Sequence, residues 1–231
     1  MNVEIWSDIV CPWCYIGKRR FETAVSTFPH GDDVEITWRS FELDPDAPRR
    51  RDGDLVGHLA RKYGIAPEQA RAKQGQLTEL AAHEGLDFRF DLAQPGNTLD
   101  AHRLLHLAAD HDLQAGLKER LLAAYLTDGA PIGEPGTLAR VGQDAGLDPA
   151  DVRRVLDSDT YLAEVRADER RAAELGITGV PFFVFDRKYA VSGAQSPEVL
   201  LGALEQAWSE SGSLVVAGGG AASCEGDRCS T

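Results

Sequence analysis

Strand-like patterns occur near both ends of this sequence, and a long helix-like stretch separates them. β-Branched and aromatic residues predict strands at 3–7 and 34–38, and apolar residues spaced by threes and fours predict a helix between them at 13–28. Near the other end, residues 181–192 predict a hairpin, and a last helix opens at Pro197. The order is therefore β-α-β, a long helical segment, and β-β-α.

The middle of the chain, from about Asp54 to Leu175, is rich in Ala, Leu and Arg and is interrupted by Gly and Pro, which predicts several helices. Asn97 or Thr98 can cap the first N–H groups of one of them. This order predicts an α/β protein with a thioredoxin-like fold that carries an inserted all-helical domain. We predict four segments: two halves of the thioredoxin-like domain at 1–44 and 171–210, the inserted helical domain at 45–170, and a flexible tail at 211–231.

The charge balance disfavours two classes of partner. The 231 residues carry a formal net charge of -13, which repels phosphate backbones and anionic lipid. The best candidate for a basic patch is the short run Arg49, Arg50 and Arg51, which we interpret as a solvated loop. No apolar stretch approaches the roughly 18 residues of a membrane span, and the first residues lack a signal-peptide pattern. We therefore expect a cytoplasmic protein that binds neither nucleic acid nor membrane; the sequence leaves the oligomeric state open.

The four cysteines form two close pairs, Cys11 with Cys14 and Cys224 with Cys229. Four cysteines are too few for a disulfide-stapled scaffold of this length, and the cytosol keeps structural thiols reduced. Two close pairs indicate redox chemistry or a metal before they indicate structural disulfides.

The first pair lies where a predicted strand leads into a predicted helix. Unpaired N–H groups and the helix dipole favour negative charge at a helix N-terminus, so a thiolate at Cys11 would be stabilised there. Cys14, one turn later, could then attack a mixed disulfide formed on Cys11. Cys-Pro-Trp-Cys is therefore expected to be a redox motif.

Other interpretations of this pair remain. A c-type haem site is excluded because Tyr15 stands where that motif has His. A zinc site built from all four thiolates remains open, because the spacings of both pairs are acceptable for zinc, and so does a chance pair of core cysteines.

Four blocks of sequence resemble the DsbA-like thioredoxin superfamily, specifically its FrnE branch. In order they are Trp6-Ser7-Asp8 with Cys11-Pro12-Trp13-Cys14-Tyr15-Ile16-Gly17, then residues 38–43, then residues 97–103, then Gly176-Ile177-Thr178-Gly179-Val180-Pro181-Phe182-Phe183. The resemblance implies a dithiol–disulfide oxidoreductase or isomerase that acts on disulfide- or thiol-containing proteins or small molecules.

The resemblance also implies roles for residues. Cys11 would be the nucleophile, Cys14 the resolving cysteine, and Pro181 a cis proline beside them. The backbone at Val180 would hold an extended substrate segment, and Trp13 and His102 would also lie at the substrate. Trp13 replaces the His of the periplasmic DsbA group, which implies a potential closer to that of the glutaredoxins, roughly -200 to -230 mV.

Kappa-class glutathione transferases and 2-hydroxychromene-2-carboxylate isomerases belong to the same superfamily. They share the inserted helical domain but have Ser in place of Cys11, so the resemblance keeps a glutathione-dependent enzyme as an alternative. No cofactor is expected, although glutathione could serve as redox partner.

The second pair, Cys224 and Cys229, follows a Gly- and Ala-rich linker. We predict that this tethered dithiol exchanges with Cys11 and Cys14 as a relay or cap. The alternative is a disordered tail whose thiols have no role.

His102, His106 and Asp110 are spaced by four residues and would share one face of a helix. We interpret that face as solvated and expect no metal site there, since such spacing is common on helix surfaces.

Overall fold

The computed structural model describes residues 1–211 and the backbone of residues 224–225 and 228–229. Its elements in chain order are β1 (Asn2–Ser7), α1 (Pro12–Thr27), β2 (Glu35–Ser40), α2 (Leu55–Tyr63), α3 (Pro67–His83), α4 (Leu99–Ala109), α5 (Gln114–Leu126), α6 (Pro135–Asp144), α7 (Pro149–Leu156), α8 (Leu162–Glu174), β3 (Phe182–Phe185), β4 (Tyr189–Ser192), α9 (Pro197–Ser211), β5 (Cys224–Glu225) and β6 (Arg228–Cys229).

Strands from both ends of the chain form one mixed sheet in the order β2-β1-β3-β4. β1 pairs in parallel with β2, with Ile5 opposite Trp38, and antiparallel with β3, with Ile5 opposite Phe183. β3 and β4 form the hairpin that the sequence predicted. The predicted α/β architecture is therefore confirmed: β-α-β and β-β-α segments build one sheet, and helices α2 to α8 lie between them in sequence.

The two faces of the sheet bury different side chains. On one face, Phe183 and Phe185 pack with Phe21 of α1 and Leu204 of α9 in a buried apolar cluster. On the other face, Trp6 is fully buried beside α8 and donates its indole N–H to the backbone oxygen of Asp168 at 3.0 Å. β1 is therefore covered on both sides, which is the environment expected for a central strand.

The helical segment has its own core, and α1 is shared between the two cores. Leu104, Leu117 and Leu121 are fully buried in the helical core, and Ile16 of α1 belongs to the same cluster. Phe21, one and a half turns further along α1, packs against the sheet instead. The helix that carries the first cysteine pair thus joins the sheet to the inserted helices.

Charged side chains reinforce this junction at Glu119 of α5. Its carboxylate accepts hydrogen bonds from the Tyr15 hydroxyl at 2.5 Å, from Lys18 at 2.6 Å, and from Arg19. Burial alone would raise the pKa of Glu119, but the bonds from Arg19, Lys18 and Tyr15 outweigh it and lower the pKa to about 2. An ionised Glu119 therefore links the inserted helices to α1.

The loop before β3 approaches α1 closely at Gly17. The Val180–Pro181 peptide bond is cis, as the resemblance implied. A Cβ atom built on Gly17 would lie 2.8 Å from Cγ of Pro181, closer than real Cβ atoms approach another atom. Only glycine at this position lets the proline loop reach the first turns of α1.

The expected relay between the two cysteine pairs falls on residues whose side chains lie outside the described part of the chain. The described backbone places β5 antiparallel to β6, with Cys224 opposite Cys229. Within the described residues, no helix has the length and apolar character needed to span a bilayer.

Replacing Glu119 by Gln should lower the free energy of unfolding by about 1–2 kcal/mol at neutral pH, because Tyr15 loses its carboxylate partner and Lys18 and Arg19 each keep only Glu22. Since the folded-state pKa is about 2 and the ordinary value is 4.5, the contribution is complete above about pH 4.5 and is lost as the pH falls toward 2. Urea unfolding of both proteins across this range measures the difference. E79Q on α3, whose carboxylate takes part in no ion pair among the described residues, is the matched control; an equal loss in both variants would contradict the role of Glu119.

Replacing Gly17 by Ala should lower the free energy of unfolding by about 1–3 kcal/mol, because the new methyl group overlaps the Pro181 ring. Gly75 of α3 is the control, since a Cβ there meets no atom within 4 Å and G75A should gain up to about 1 kcal/mol from helix propensity. Thermal unfolding measures both changes. A G17A protein as stable as G75A would show that the contact is not restrictive.

Candidate active site at the start of α1

Cys11 and Cys14 lie at the N-terminus of α1, where the sequence predicted a strand-to-helix junction. Cys11 is the N-cap residue, and its backbone oxygen accepts a hydrogen bond from the N–H of Cys14 at 3.1 Å. Both thiols are free, and their residues are 4% and 1% exposed respectively. The turn therefore brings the two cysteines together and leaves the first one nearer to the surface.

The cis-proline loop lies directly beside Cys11. Sγ of Cys11 is 3.6 Å from the backbone oxygen of Val180, the residue before Pro181. This contact joins residues that are 169 positions apart in the sequence. The sheet topology therefore brings together the Cys-Pro-Trp-Cys motif and the Val180–Pro181 motif that the sequence singled out.

A groove with a volume of about 440 Å³ opens at Cys11. Trp13 and Val180 also line it, and Trp13 is 42% exposed. Most of the remaining wall is apolar and comes from α2, α3 and the loops beside them, while several basic side chains also line the groove: Arg51, His58, Lys62 and Lys73. Cys11 therefore faces a groove of the size that small ligands or short peptide segments occupy.

Behind the cysteines lies a buried cation that the sequence analysis missed. Lys118 of α5 is fully buried, and its ammonium donates to the backbone oxygen of Ser7 at 3.3 Å and lies 5.5 Å from the centre of the Trp38 ring. Burial lowers the pKa of Lys118 to about 8, while the negative charges of Cys14 and Asp8 oppose the shift. The inserted domain thus contributes a positive charge to a site whose cysteines belong to the sheet domain.

Asp8 is the buried anion of the same region. Its carboxylate accepts hydrogen bonds from the N–H groups of Ile9 at 2.7 Å and Leu43 at 2.8 Å, and lies 3.1 Å from Nε2 of His102. Burial raises the pKa of Asp8, but the bonds from His102 and Leu43 outweigh it and the net shift is downward. Burial lowers the pKa of His102, so a neutral imidazole donates its Nε2 hydrogen to an ionised Asp8.

The two thiols titrate as a pair. Burial opposes ionisation of Cys14, but the hydrogen bond from the Cys11 thiol and the charge of Lys118 outweigh it and lower the pKa of Cys14. The same interaction with Cys14, together with burial, raises the pKa of Cys11 well above its usual value. The sequence predicted a stabilised thiolate at Cys11, whereas in the structure the interaction between the two sulfur atoms favours negative charge on Cys14 and disfavours it on Cys11.

His102 and His106 do not lie on the solvated helix face that the sequence predicted; both side chains face the protein interior. His102 is 0% exposed, behind the cysteines, and does not line the groove; His106 lies 3.1 Å from Oγ of Ser40 and is half-buried. The prediction of a solvated face was wrong at these positions because α4 packs into the core between α5 and α8. Asp110 alone is exposed, and it accepts a hydrogen bond from Tyr161.

The helix cap before His102 uses one of the two residues predicted for it. Thr98 is the N-cap of α4 but makes no side-chain cap bond, while Oδ1 of Asn97 accepts from the N–H of Leu99 at 2.9 Å. The same loop is tied to the loop between β2 and α2, since the N–H of Asn97 donates to the backbone oxygen of Pro48 at 3.0 Å.

The chain matches known proteins over nearly its whole length. The family model of the DSBA-like thioredoxin domain covers residues 2–205. A probable DsbA oxidoreductase of Streptomyces coelicolor is 46% identical, with a TM-score of 0.90 over 100% of this chain and 99% of that one.

Two more distant proteins are also similar. An uncharacterised protein of Bacillus subtilis, YwbO, is 28% identical over 80% of this chain and 86% of its own length. The cytosolic disulfide reductase DsbM of Pseudomonas aeruginosa, solved with glutathione, is 17% identical with a TM-score of 0.64 over 90% of this chain and 100% of that one, a likeness of fold. The cis-proline loop, the cysteine pair at the start of α1 and these matches agree: the chain belongs to the DsbA-like thioredoxin family.

Proposed function

We propose that this protein is a thiol–disulfide oxidoreductase or isomerase of the FrnE branch that exchanges disulfides through Cys11 and Cys14. The observation that carries the proposal is the asymmetry of the pair: the Cys11 sulfur lines the groove beside Val180, whereas Cys14 is buried behind it. A nucleophile must reach a substrate disulfide, and a resolving thiol must reach only the nucleophile.

The exchange follows from this geometry. The sulfur of Cys11 attacks one sulfur of a substrate disulfide, its proton passes to Cys14, and the other substrate sulfur leaves as a thiolate. A mixed disulfide now joins Cys11 to the substrate. Cys14 then loses its proton and attacks the Cys11 sulfur, so that the mixed disulfide breaks and the second substrate thiolate leaves. Two electrons pass from the Cys11–Cys14 dithiol to the substrate disulfide, and the reverse sequence oxidises a substrate dithiol.

Trp13 and Val180 are proposed to bind substrate. The half-exposed indole offers an apolar surface next to Cys11, and the backbone at Val180 runs along the reacting sulfur. His102 was also predicted at the substrate. Because its imidazole is buried, it is proposed instead to hold the Asp8 carboxylate through their hydrogen bond. Pro181 positions the Val180 carbonyl and does not itself contact the thiol in the exchange.

Glutathione is the proposed small-molecule redox partner. Its two carboxylates would complement the basic side chains that line the groove, Arg51, Lys62 and Lys73, in a chain whose formal net charge is -13. A partner that is reduced and abundant in the cytosol fits the proposed cytoplasmic location. Protein disulfides remain the second class of proposed substrate.

Replacing Cys11 by Ser should abolish the acceleration that the protein gives to the reduction of insulin by dithiothreitol, since the nucleophile is lost. C14S should instead accumulate a mixed disulfide between Cys11 and the substrate, which mass spectrometry detects. A C11S protein that keeps full activity would overturn the proposal.

The same two variants separate the alternative functions. A glutathione-dependent transferase or isomerase would turn over an electrophilic substrate with glutathione and would keep this activity in C14S. A module that binds zinc through Cys11, Cys14, Cys224 and Cys229 would retain about one zinc per reduced chain and lose it in either variant.

We also propose that the tail pair, Cys224 and Cys229, relays disulfides to the first pair. A full-length chain carrying both C224S and C229S should reduce insulin more slowly, because one route of electron transfer is removed. Disulfide mapping after mild oxidation should find a bond from Cys11 to a tail cysteine in the unaltered chain. S223A is the control, and unchanged activity together with no such bond would contradict the relay.

A further inference from the structure

We propose that His58 of α2 takes up a proton when the carboxylate of a small disulfide substrate binds between it, Arg51 and Lys62. The inference rests on the proposed function, since it concerns the groove in which Cys11 would attack that substrate. The substrate class is small disulfides, and the thiols formed from them, that carry a carboxylate. His58 would make their recognition depend on pH, which the permanent cations of the groove cannot do.

The three side chains lie close together on one wall of the groove. His58 and Lys62 are four residues apart on α2, so they share one face of that helix, and both line the groove. The ammonium of Lys62 lies 3.5 Å from the backbone oxygen of Leu43. The guanidinium of Arg51 donates to the carboxylate of the next residue, Asp44. Arg51 and Lys62 therefore approach adjacent residues of the loop between β2 and α2, beside the helix face that carries His58.

The groove carries positive charge in a chain that is acidic overall. Among the residues that the structure describes, its lining holds one carboxylate, Asp44, and three permanent cations, Arg51, Lys62 and Lys73. Arg51 is paired with Asp44, whereas Lys62 and Lys73 take part in no ion pair within residues 1–211. A formal net charge of -13 repels an anionic substrate, so a preference for anions must come from these local groups.

His58 is the member of this cluster whose charge can change near neutral pH. Its side chain is half-buried and has no hydrogen-bond or ion-pair partner in the described part of the chain, so its ring nitrogens are available to a ligand. Burial, followed by the charges of Arg51 and Lys62, lowers the pKa of His58 from its ordinary 6.5. Asp44 opposes this shift, and Arg61 adds a smaller part of it. The imidazole is therefore neutral at pH 7 in the free protein.

A bound carboxylate reverses the electrostatic balance at His58. Its negative charge favours the imidazolium and raises the pKa of His58, so a proton enters with the substrate. Between the pKa values of the free and the bound forms, binding therefore becomes tighter as the pH falls, and below the free-protein value it no longer changes. Lys73 of α3 and Cys11 also face the groove, and the ionisation of Cys11 affects the reaction with every disulfide alike.

The size of the groove favours a small substrate. Cys11 and the three cluster side chains line the same volume of about 440 Å³, so one small molecule can present a sulfur to Cys11 and a carboxylate to His58. The apolar side chains of Leu55 and Leu59 on α2 also line this volume. A short hydrocarbon segment between the sulfur and the carboxylate therefore suits the wall between them.

The rates at which Cys11 attacks two small disulfides test the inference. In the full-length chain carrying C14S, C224S and C229S, Cys11 is the one remaining thiol, and its attack ends at a mixed disulfide that mass spectrometry quantifies. Dithiodipropionate is the anionic substrate, and hydroxyethyl disulfide is the neutral one. The ratio of their rate constants cancels the ionisation of Cys11, and it should rise about threefold to fivefold from pH 8 to pH 5.5.

Two further substitutions in this chain locate the effect. H58Q should remove the rise of the ratio with falling pH, since an amide takes up no proton, and K62M should lower the ratio about threefold to fivefold at pH 7. H83Q and K188M are the matched controls, because they make the same changes at an exposed histidine and an exposed lysine outside the groove. A ratio in H58Q that still rises as it does in H83Q would overturn the inference.

The proposed function has a separate readout in the same experiment. A Cys11 that fails to form a mixed disulfide even with hydroxyethyl disulfide would refute the function, whatever the ratio. Insulin distinguishes a carboxylate on a small molecule from one on a protein. With all four cysteines present, K62M should slow the reduction of dithiodipropionate more than that of insulin, and an equal loss would overturn the assignment to small substrates.

A second measurement follows the proton itself. The imidazole C2 hydrogen of His58, identified in the NMR spectrum by its loss in H58Q, reports the ionisation of this side chain. S-methylglutathione is the probe, because it carries carboxylates but no thiol. At saturation it should raise the pKa of His58 by about half a unit to one unit, and an unchanged pKa would overturn the inference.

Discussion

The site depends on two buried charged groups, a carboxylate and an ammonium, whose burial is possible only because partner groups compensate their charges. Asp8 and Lys118 are both excluded from water, and each requires partners that come from distant parts of the chain: Leu43 and His102 for Asp8, and Ser7 for Lys118. A carboxylate or ammonium left without them would cost several kcal/mol, so the sheet domain and the inserted helices are tied together by electrostatics as well as by apolar packing.

This arrangement explains why α1 is the centre of the molecule. Its first turn carries the two cysteines, Gly17 permits the approach of the cis-proline loop, and Ile16 and Phe21 enter different cores. Glu119, next to Lys118 on α5, holds the outer side of α1 through Tyr15, Lys18 and Arg19. The same short helix therefore fixes the reacting sulfur atoms relative to the groove and to the buried charges.

Several features of the site could be predicted because local sequence determines them. The Cys-Pro-Trp-Cys pair needs only a strand, a turn and a helix start, and the hairpin at 182–192 follows from β-branched and aromatic residues around a turn. His102 could not be placed in this way, because its spacing with His106 and Asp110 suits a solvated face as well as a buried one. Lys118 gave no signal, since a lone lysine on a helix is ordinarily exposed, and Asp8 was noticed only as part of a resemblance.

The sequence by itself determined the order of strands and helices, the family resemblance and the identity of the cysteines at the start of α1. These features depend on periodicity, turn chemistry and residue type, which are properties of neighbouring residues. Only the tertiary structure decided which cysteine faces the groove, that the Val180 carbonyl lies beside Cys11, and that a lysine from the insertion is buried against the Ser7 carbonyl. Such features depend on contacts between residues about a hundred or more positions apart, as from Ser7 to Lys118 or from Cys11 to Val180. Because these groups are buried, their charged neighbours shift their pKa values more than they would in water.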